Sequence, residues 1–140
     1  MPRKILVPID LEHGERVNEV LRIAADFATA DDTEVELLTV IQAGPVIVSQ
    51  FLAENYESMA STKAEQELDA LVAGMGAAAG KVTTTVRFGG TYQEILAYAE
   101  KIGADLIVIG SHKPNVADYL LGSTAARVVR HAKCSVYVVR

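Results

Sequence analysis

A chain of 140 residues suits one α/β domain, and half of it is hydrophobic, so a packed core requires no disulfide or structural metal. The 18 acidic and 13 basic residues give a formal net charge of −5, and the basic residues are scattered, which argues against a nucleic-acid partner. Cys134 is the sole cysteine, which excludes an internal disulfide, and the three histidines have no metal-ligand spacing. We therefore expect a single domain over residues 1–140, with Cys134 as a buried thiol and no metal site.

The amino-terminal segment MPRKILVPID predicts a strand rather than a signal peptide, because it lacks an apolar stretch followed by a small-residue cleavage site. No apolar run in the chain approaches the length of a membrane span. These two features predict a cytoplasmic protein without membrane insertion.

Five short runs predict strands, and four segments with helical periodicity lie between them. In chain order we predict a strand over 4–9, a helix over 17–28, a strand over 35–41, a helix over about 53–73, a weaker strand over 82–88, a helix over 91–102, a strand over 105–110, a helix over 123–132 and a strand over 134–140. Thr91 and Glu94 fit a capping box at the start of the third helix, and Gly103 fits its carboxyl-terminal stop.

The regular alternation of strands and helices predicts right-handed crossovers and one parallel sheet with helices on both faces. Most of the strand runs are continuously apolar, which is typical of strands that are covered on both sides. The fold class we predict is a five-stranded, doubly wound, Rossmann-like α/β domain. With strands numbered along the chain, we favour the order 3-2-1-4-5 over 2-1-3-4-5.

Ligands of such sheets bind beyond the carboxyl ends of the strands, at the point where the strand order reverses. For the order 3-2-1-4-5, this crevice lies between residues 8–10 of the first strand and residues 110–113 after the fourth strand. Gly110 allows a ligand to approach the backbone closely, and Asp10 is placed to accept hydrogen bonds from ribose hydroxyls. The alternative is that Gly110 is a turn residue and that Asp10 caps the following helix.

The fourth helix is predicted to begin at Gly122-Ser123-Thr124. A helix amino terminus presents unbonded N–H groups and a partial positive charge, which suit phosphate oxygens. The alternative is that Ser123 is a helix cap and nothing more. No G-x-x-x-x-G-K-[ST] or G-x-G-x-x-G motif is present. No catalytic triad or carboxylate pair is evident, so we predict no catalytic residue and at most slow hydrolysis of a bound phosphate ligand.

Three segments resemble the universal stress protein family: MPRKILVPID at the start, the strand ending in TVI, and GSHKPNVADYLLGSTAARVVRHAKCSVYVVR at the end. The resemblance covers the whole chain in element order and is strongest over residues 105–140. The short SH-[RK]-P loop and the YLLGS segment are most similar to the F- and G-type members.

The chain departs from the pattern G-x2-G-x9-G-[ST] of the nucleotide-binding members. Gly110 and Gly122-Ser123 match its ends, but Lys113 replaces the middle glycine and the following spacer has eight residues. Loss of a glycine restricts the backbone, whereas a cation beside phosphates favours their binding. F-type relatives with the same short loop bind ATP, so the resemblance implies that this chain binds ATP as well.

The resemblance implies positions for each part of the nucleotide, with Mg²⁺ accompanying the phosphates. Pro8, Ile9 and Asp10 would line adenine and ribose, Val40 would meet adenine through its backbone, Gly110, Ser111, His112 and Lys113 would flank ribose and phosphates, and Gly122, Ser123 and Thr124 would hold the phosphates. It also implies a homodimer through the last strand, at Ser135, Val136, Tyr137, Val138 and Val139. Independently of the resemblance, an apolar strand at the edge of a sheet favours a partner strand that covers it.

The function predicted from these features is a dimeric, cytoplasmic, ATP-binding regulator in stress response or signalling, with an adenine nucleotide and a regulatory protein as partners. One alternative is a nucleotide-free dimeric protein-interaction module with a degenerate ATP site. A second alternative is a small phosphotransferase.

Overall fold

Five strands and four helices alternate along the chain in a computed structural model that describes residues 3–12, 17–28, 32–42, 50–76, 81–111 and 122–140. In chain order they are β1 (Lys4–Pro8), α1 (Val17–Phe27), β2 (Glu34–Ile41), α2 (Gln50–Ala73), β3 (Val82–Phe88), α3 (Thr91–Ile102), β4 (Leu106–Gly110), α4 (Ser123–His131) and β5 (Ser135–Val139). The predicted elements are all confirmed in type and order, and their ends differ by a few residues at most.

The strands form one sheet in the order β3-β2-β1-β4-β5, and every neighbouring pair is parallel. The predicted fold class and strand order are therefore confirmed. The order reverses between β1 and β4, and ligands of parallel sheets bind at such a point.

The core has two layers, one on each face of the sheet. Leu37 and Leu38 are consecutive in β2 and fully buried on opposite faces, because successive strand side chains alternate. The layer around Leu37 also contains side chains of α1 and α2, and the layer around Leu38 contains side chains of α3 and α4. Burial on both sides explains why the strand runs are continuously apolar.

The two ends of α3 give one confirmed and one wrong prediction. Gly103 ends the helix in the left-handed conformation, at φ 67°, as predicted. The capping box at Thr91 is wrong: the N-cap is Gly90, without a side-chain hydrogen bond. The Glu94 carboxylate instead pairs with the Arg87 guanidinium of β3 at 3.1 Å, so it does not reach back to the helix start.

Cys134 lies just before β5 and is half-buried against the α3–α4 layer, so it is less buried than we predicted. Burial nevertheless raises the pKa of its thiol. None of the helices in the described part of the chain is long and apolar enough to cross a membrane.

Candidate functional site

The carboxyl ends of β2, β1 and β4 stand side by side where the strand order reverses. Pro8 pairs with Leu38 of β2, and Leu6 pairs with Ile107 of β4. Counting onward in these registers places Val40 and Ser111 on either side of Asp10. The fold thus brings together, at one edge, three of the residues predicted to meet adenine and ribose.

Two hydrogen bonds to the segment after β1 fix this edge. The Ile9 amide donates to the Leu38 carbonyl at 2.7 Å, which continues the strand pairing by one residue. The buried Thr39 hydroxyl donates to the Ile9 carbonyl at 2.9 Å. Our sequence analysis missed Thr39 as a positioning residue, although a lone hydroxyl in the apolar run VELLTVI was the available signal.

Asp10 is exposed at the end of β1. Its Oδ1 accepts a hydrogen bond from the Glu12 amide at 3.0 Å, which is a local turn of the kind that aspartate favours. This bond lies within the turn, and the residues between the turn and Val17, where α1 begins, lie outside the described part of the chain. Asp10 thus follows the carboxyl end of β1, and its contact with ribose stays a prediction.

Gly110 ends β4, and its need for glycine has a packing cause. A Cβ atom at this position would lie 3.2 Å from Cγ2 of Val20 on α1, which is tighter than nine in ten real Cβ contacts, so Val20 would have to shift by a few tenths of an ångström. The close approach of α1 thus favours glycine here independently of any ligand. Beyond it, the Ser111 amide donates to the Val139 carbonyl of β5 at 2.7 Å, so this backbone is held by the sheet.

The start of α4 has an uncapped amino terminus. Gly122 is the N-cap and is buried, and among the residues that the structure describes no side-chain cap bonds to the first-turn amides. The first hydrogen bond within the helix runs from the Ala126 amide to the Gly122 carbonyl at 2.9 Å. The amides of Ser123 and Thr124 come earlier in the chain than this donor, so they have no partner within the helix. Amides at this position of a helix can donate hydrogen bonds to an anion. The alternative assignment of Ser123 as the cap is wrong, because Ser123 is the first helical residue.

The conformation of Gly122 is open to any residue, at φ −61° and ψ 154°. Backbone geometry therefore does not require glycine at this position, in contrast to Gly103. Because glycine has no Cβ atom, this buried position leaves room for a phosphate group to approach the first turn of α4. The predicted His112 and Lys113 lie outside the described residues, and so does the rest of the connection from residue 112 to 121.

No three His, Cys, Asp or Glu side chains within the described ranges are grouped so that they could hold a metal ion. The described oxygen groups are the Asp10 carboxylate and the Ser111 hydroxyl at the strand ends, and the hydroxyls of Ser123 and Thr124 at the start of α4. A divalent cation there would take most of its ligands from phosphates and water, as Mg²⁺ commonly does beside nucleotides.

Comparison with known proteins gives the family. The chain matches the Universal stress protein family over residues 1–140. Universal stress protein G of Shigella flexneri is 34% identical over 143 residues, which cover 100% of both chains. The solved structure of hypothetical protein MJ0577 superposes with a TM-score of 0.84 at 29% identity and covers 98% of this chain and 94% of its own.

A third similar protein, the universal stress protein from Archaeoglobus fulgidus, was solved in complex with dAMP. It is 22% identical, has a TM-score of 0.62 and covers 98% of this chain and 97% of its own, a similarity that speaks for the fold. The resemblance found in the sequence, including that to the G-type members, is confirmed by these comparisons. The chain belongs to the Universal stress protein family.

Proposed function

We propose that this chain binds ATP at the carboxyl ends of β1 and β4 and acts as a dimeric, cytoplasmic regulator in stress response or signalling. In this proposal residues 1–140 form one nucleotide-binding domain. The observation that carries it is the start of α4, where a buried glycine is followed by first-turn amides that have no side-chain cap. Such a terminus is suited to phosphate oxygens because its N–H groups and helix dipole both favour negative charge.

The row of strand ends supplies the other half of the proposed site. The Asp10 carboxylate would accept hydrogen bonds from ribose hydroxyls, and the Val40 backbone would meet adenine. Pro8 and Ile9 would line the base, and Gly110 and Ser111 would flank the ribose. Lys113 would add a cation beside the phosphates, with Mg²⁺ accompanying them.

The dAMP complex of the Archaeoglobus fulgidus protein is a property of that protein, and an identity of 22% transfers no ligand to this chain. It supports the proposal in one respect, because a domain of the same fold holds an adenine nucleotide there. The choice of ATP rests on the uncapped start of α4, which offers several donors to a phosphate chain.

Thermal unfolding with and without Mg-ATP tests the nucleotide. A ligand at a hundred times its dissociation constant stabilises a fold by about 2.7 kcal/mol, which raises the melting temperature by several degrees. We expect such a rise with millimolar Mg-ATP and a smaller one with adenosine, which lacks the phosphates. An unchanged melting temperature with Mg-ATP would sink the nucleotide proposal.

A nucleotide-free interaction module is the second candidate, and two observations favour it. The close approach of Val20 favours glycine at position 110 independently of any ligand. The turn to Glu12 gives the Asp10 carboxylate a structural partner. Under this candidate the melting temperature is insensitive to nucleotide, while the dimer described next is retained.

We propose that the dimer forms through β5, which is a sheet edge because it pairs with β4 alone. Its Tyr137 is 42% exposed. The Ser111 amide donates to the Val139 carbonyl, so the backbone groups of Val139 point towards β4. Successive residues of a strand point their backbone groups to opposite sides, so the N–H groups of Val136 and Val138 point to the open edge.

Proline at Val136 tests this dimer, because it removes a donor from the open edge and none from the pairing with β4. We expect Val136→Pro to be a folded monomer by light scattering where the parent chain is a dimer. Tyr137→Pro is the matched control: it removes a donor to β4, so it should lower stability in addition. A Val136→Pro variant that stays dimeric would place the interface elsewhere.

A further inference from the structure

A groove between α3 and α4 carries ligand-binding chemistry of its own. It is an open surface groove of ≈ 410 Å³, lined by Tyr92 of α3 and by Ser123, Ala126, Arg127, Arg130 and His131 of α4. The α4 residues recur at spacings of three and four, so they share one face of the helix. Apart from Ser123, none of them belongs to the proposed nucleotide site.

The groove is basic in a chain whose net charge is −5. Two guanidinium groups and an imidazole line it, and no carboxylate of the described residues does. The two acidic residues of α3 are engaged with other cations: Glu94 pairs with Arg87 at 3.1 Å, and Glu100 pairs with Lys133 at 2.6 Å. The ion pairs seen among the described residues therefore leave the charge of the groove without a carboxylate partner.

The Tyr92 ring contacts two of the α4 side chains that line the groove. The Arg127 guanidinium lies over this ring, 4.9 Å from the centroid. The His131 ring stacks with it at 6.4 Å between centroids and 22° between planes. A guanidinium held on an aromatic face keeps its N–H donors for a ligand and loses less conformational freedom when it binds one.

We propose that this groove binds a phosphorylated serine or threonine side chain of a partner protein. Arginine pairs are suited to phosphate because the planar guanidinium donates two parallel hydrogen bonds to its oxygens. Enclosed pockets that cover most of a ligand are typical of free small molecules. Here every α4 residue of the lining is exposed, which suits a group presented on a larger molecule.

The inference does not depend on nucleotide binding. The groove residues that carry it are Arg127, Arg130 and Tyr92, and none of them is among the residues proposed to contact ATP. A variant of these residues therefore tests the groove alone.

The test is an NMR titration of the full-length ¹⁵N-labelled chain with a nine-residue Gly/Ala peptide that carries a central phosphoserine. We expect the arginine Nε–H signals of Arg127 and Arg130 and the amide signals of α4 to move in a saturable manner. The unphosphorylated peptide should leave them in place. Arg127→Ala and Arg130→Ala should each weaken binding about tenfold, since each removes a charge-assisted hydrogen bond.

Matched variants separate the groove from a general charge effect. Arg22→Ala removes the same charge from an exposed position of α1, on the other face of the sheet, and should bind the phosphopeptide like the parent chain. Tyr92→Phe should retain the affinity because it keeps the ring, whereas Tyr92→Leu should weaken binding because Arg127 loses its support.

Three outcomes would overturn the proposal. If the unphosphorylated peptide bound equally well, the groove would not recognise the phosphate. Free O-phosphoserine that binds as tightly as the peptide would assign the groove to a small phosphate ester rather than to a protein. An equal loss in Arg22→Ala and Arg130→Ala would reduce the effect to net charge.

Discussion

The amino and carboxyl edges of the sheet use their polar groups in different ways. At the amino edge, the Asp105 carboxylate accepts hydrogen bonds from the amides of Arg3 and Lys4 at 3.0 and 2.9 Å. Lys4 also pairs with Glu34 at 2.6 Å. These contacts join the starts of β1, β2 and β4, so this edge is tied together by groups of the chain itself.

At the carboxyl edge, the start of α4 has no side-chain cap, and a buried glycine stands where any residue could adopt the backbone conformation. The amino edge is thus tied together by groups of the chain itself, and the start of α4 is the part of the carboxyl edge that our proposal assigns to a phosphate. Substitutions at each edge and in the middle of the sheet test this difference, with the largest effect expected at Gly122 and the smallest at Asp105.

Gly122→Val breaks the carboxyl edge. The new side chain adopts the existing backbone angles, but it occupies the approach to the first turn of α4. Loss of two charge-assisted hydrogen bonds to phosphate would weaken ATP binding by about a hundredfold or more. Titration calorimetry measures the affinity, and circular dichroism verifies that the variant is folded. Normal ATP binding by the folded variant would mean that the phosphates do not lie at α4.

Tyr98→Phe probes the middle of the sheet, between the two edges. The Tyr98 hydroxyl donates to the buried Glu36 carboxylate at 2.8 Å, beside the Thr85 hydroxyl, which also donates to it. Removing this donor should lower the free energy of unfolding by about 1–2 kcal/mol. Urea unfolding measures the loss. Tyr56→Phe, at a 53% exposed tyrosine of α2, is the control and should change nothing.

The same pair has a defined pH dependence. Burial, followed by the hydrogen bond to Glu36, raises the pKa of Tyr98 above its usual 10.0. A raised pKa in the folded state means that the contribution of Tyr98 is complete below pH 10 and declines as the pH rises through the folded value. The difference between the parent chain and Tyr98→Phe should therefore shrink above pH 10. If this difference in the free energy of unfolding did not change with pH, it would come from the packing of the side chain and not from the hydroxyl.

Asp105→Asn breaks the amino edge, with the smallest expected effect because the carboxylate is exposed. The backbone hydrogen bonds from Arg3 and Lys4 lower the pKa of Asp105 below its usual 3.8. A lowered pKa means that the stabilisation is present above that value and is lost as the pH falls through the folded pKa. The two chains should differ slightly in stability at pH 7, and the difference should shrink as the pH falls below 3.8. ATP affinity should be equal in both, because this edge does not meet the ligand.

The fold was largely predictable because its signals are local and repeated. The apolar runs of β1, β2 and β4 are buried on both faces, and Gly103 ends α3 as its type suggests. The capping box at Thr91 failed because Glu94 met a stronger partner, Arg87, that is distant from the helix start. Local patterns do not include partners that tertiary structure supplies.

The site was predictable to a lesser degree. The topology correctly predicted that Asp10 and Ser111 would share an edge. The contact of Val20 with Gly110 could not be predicted, since it joins residues of different elements. The support that the Thr39 hydroxyl gives to Ile9 had a signal in the sequence, the lone hydroxyl of an apolar run, but not an identifiable partner. The groove at Tyr92 depends likewise on how α3 packs against α4.

The central claim is that phosphate binds at the uncapped start of α4, and one calorimetric comparison tests it directly. Ser123→Asp places a negative charge in the first turn, where it favours the helix and repels phosphate, while Ser123→Asn is its neutral control of equal size. We predict that the parent chain and Ser123→Asn bind Mg-ATP and that Ser123→Asp, though at least as stable, does not. Equal ATP binding by Ser123→Asp and Ser123→Asn would contradict the account.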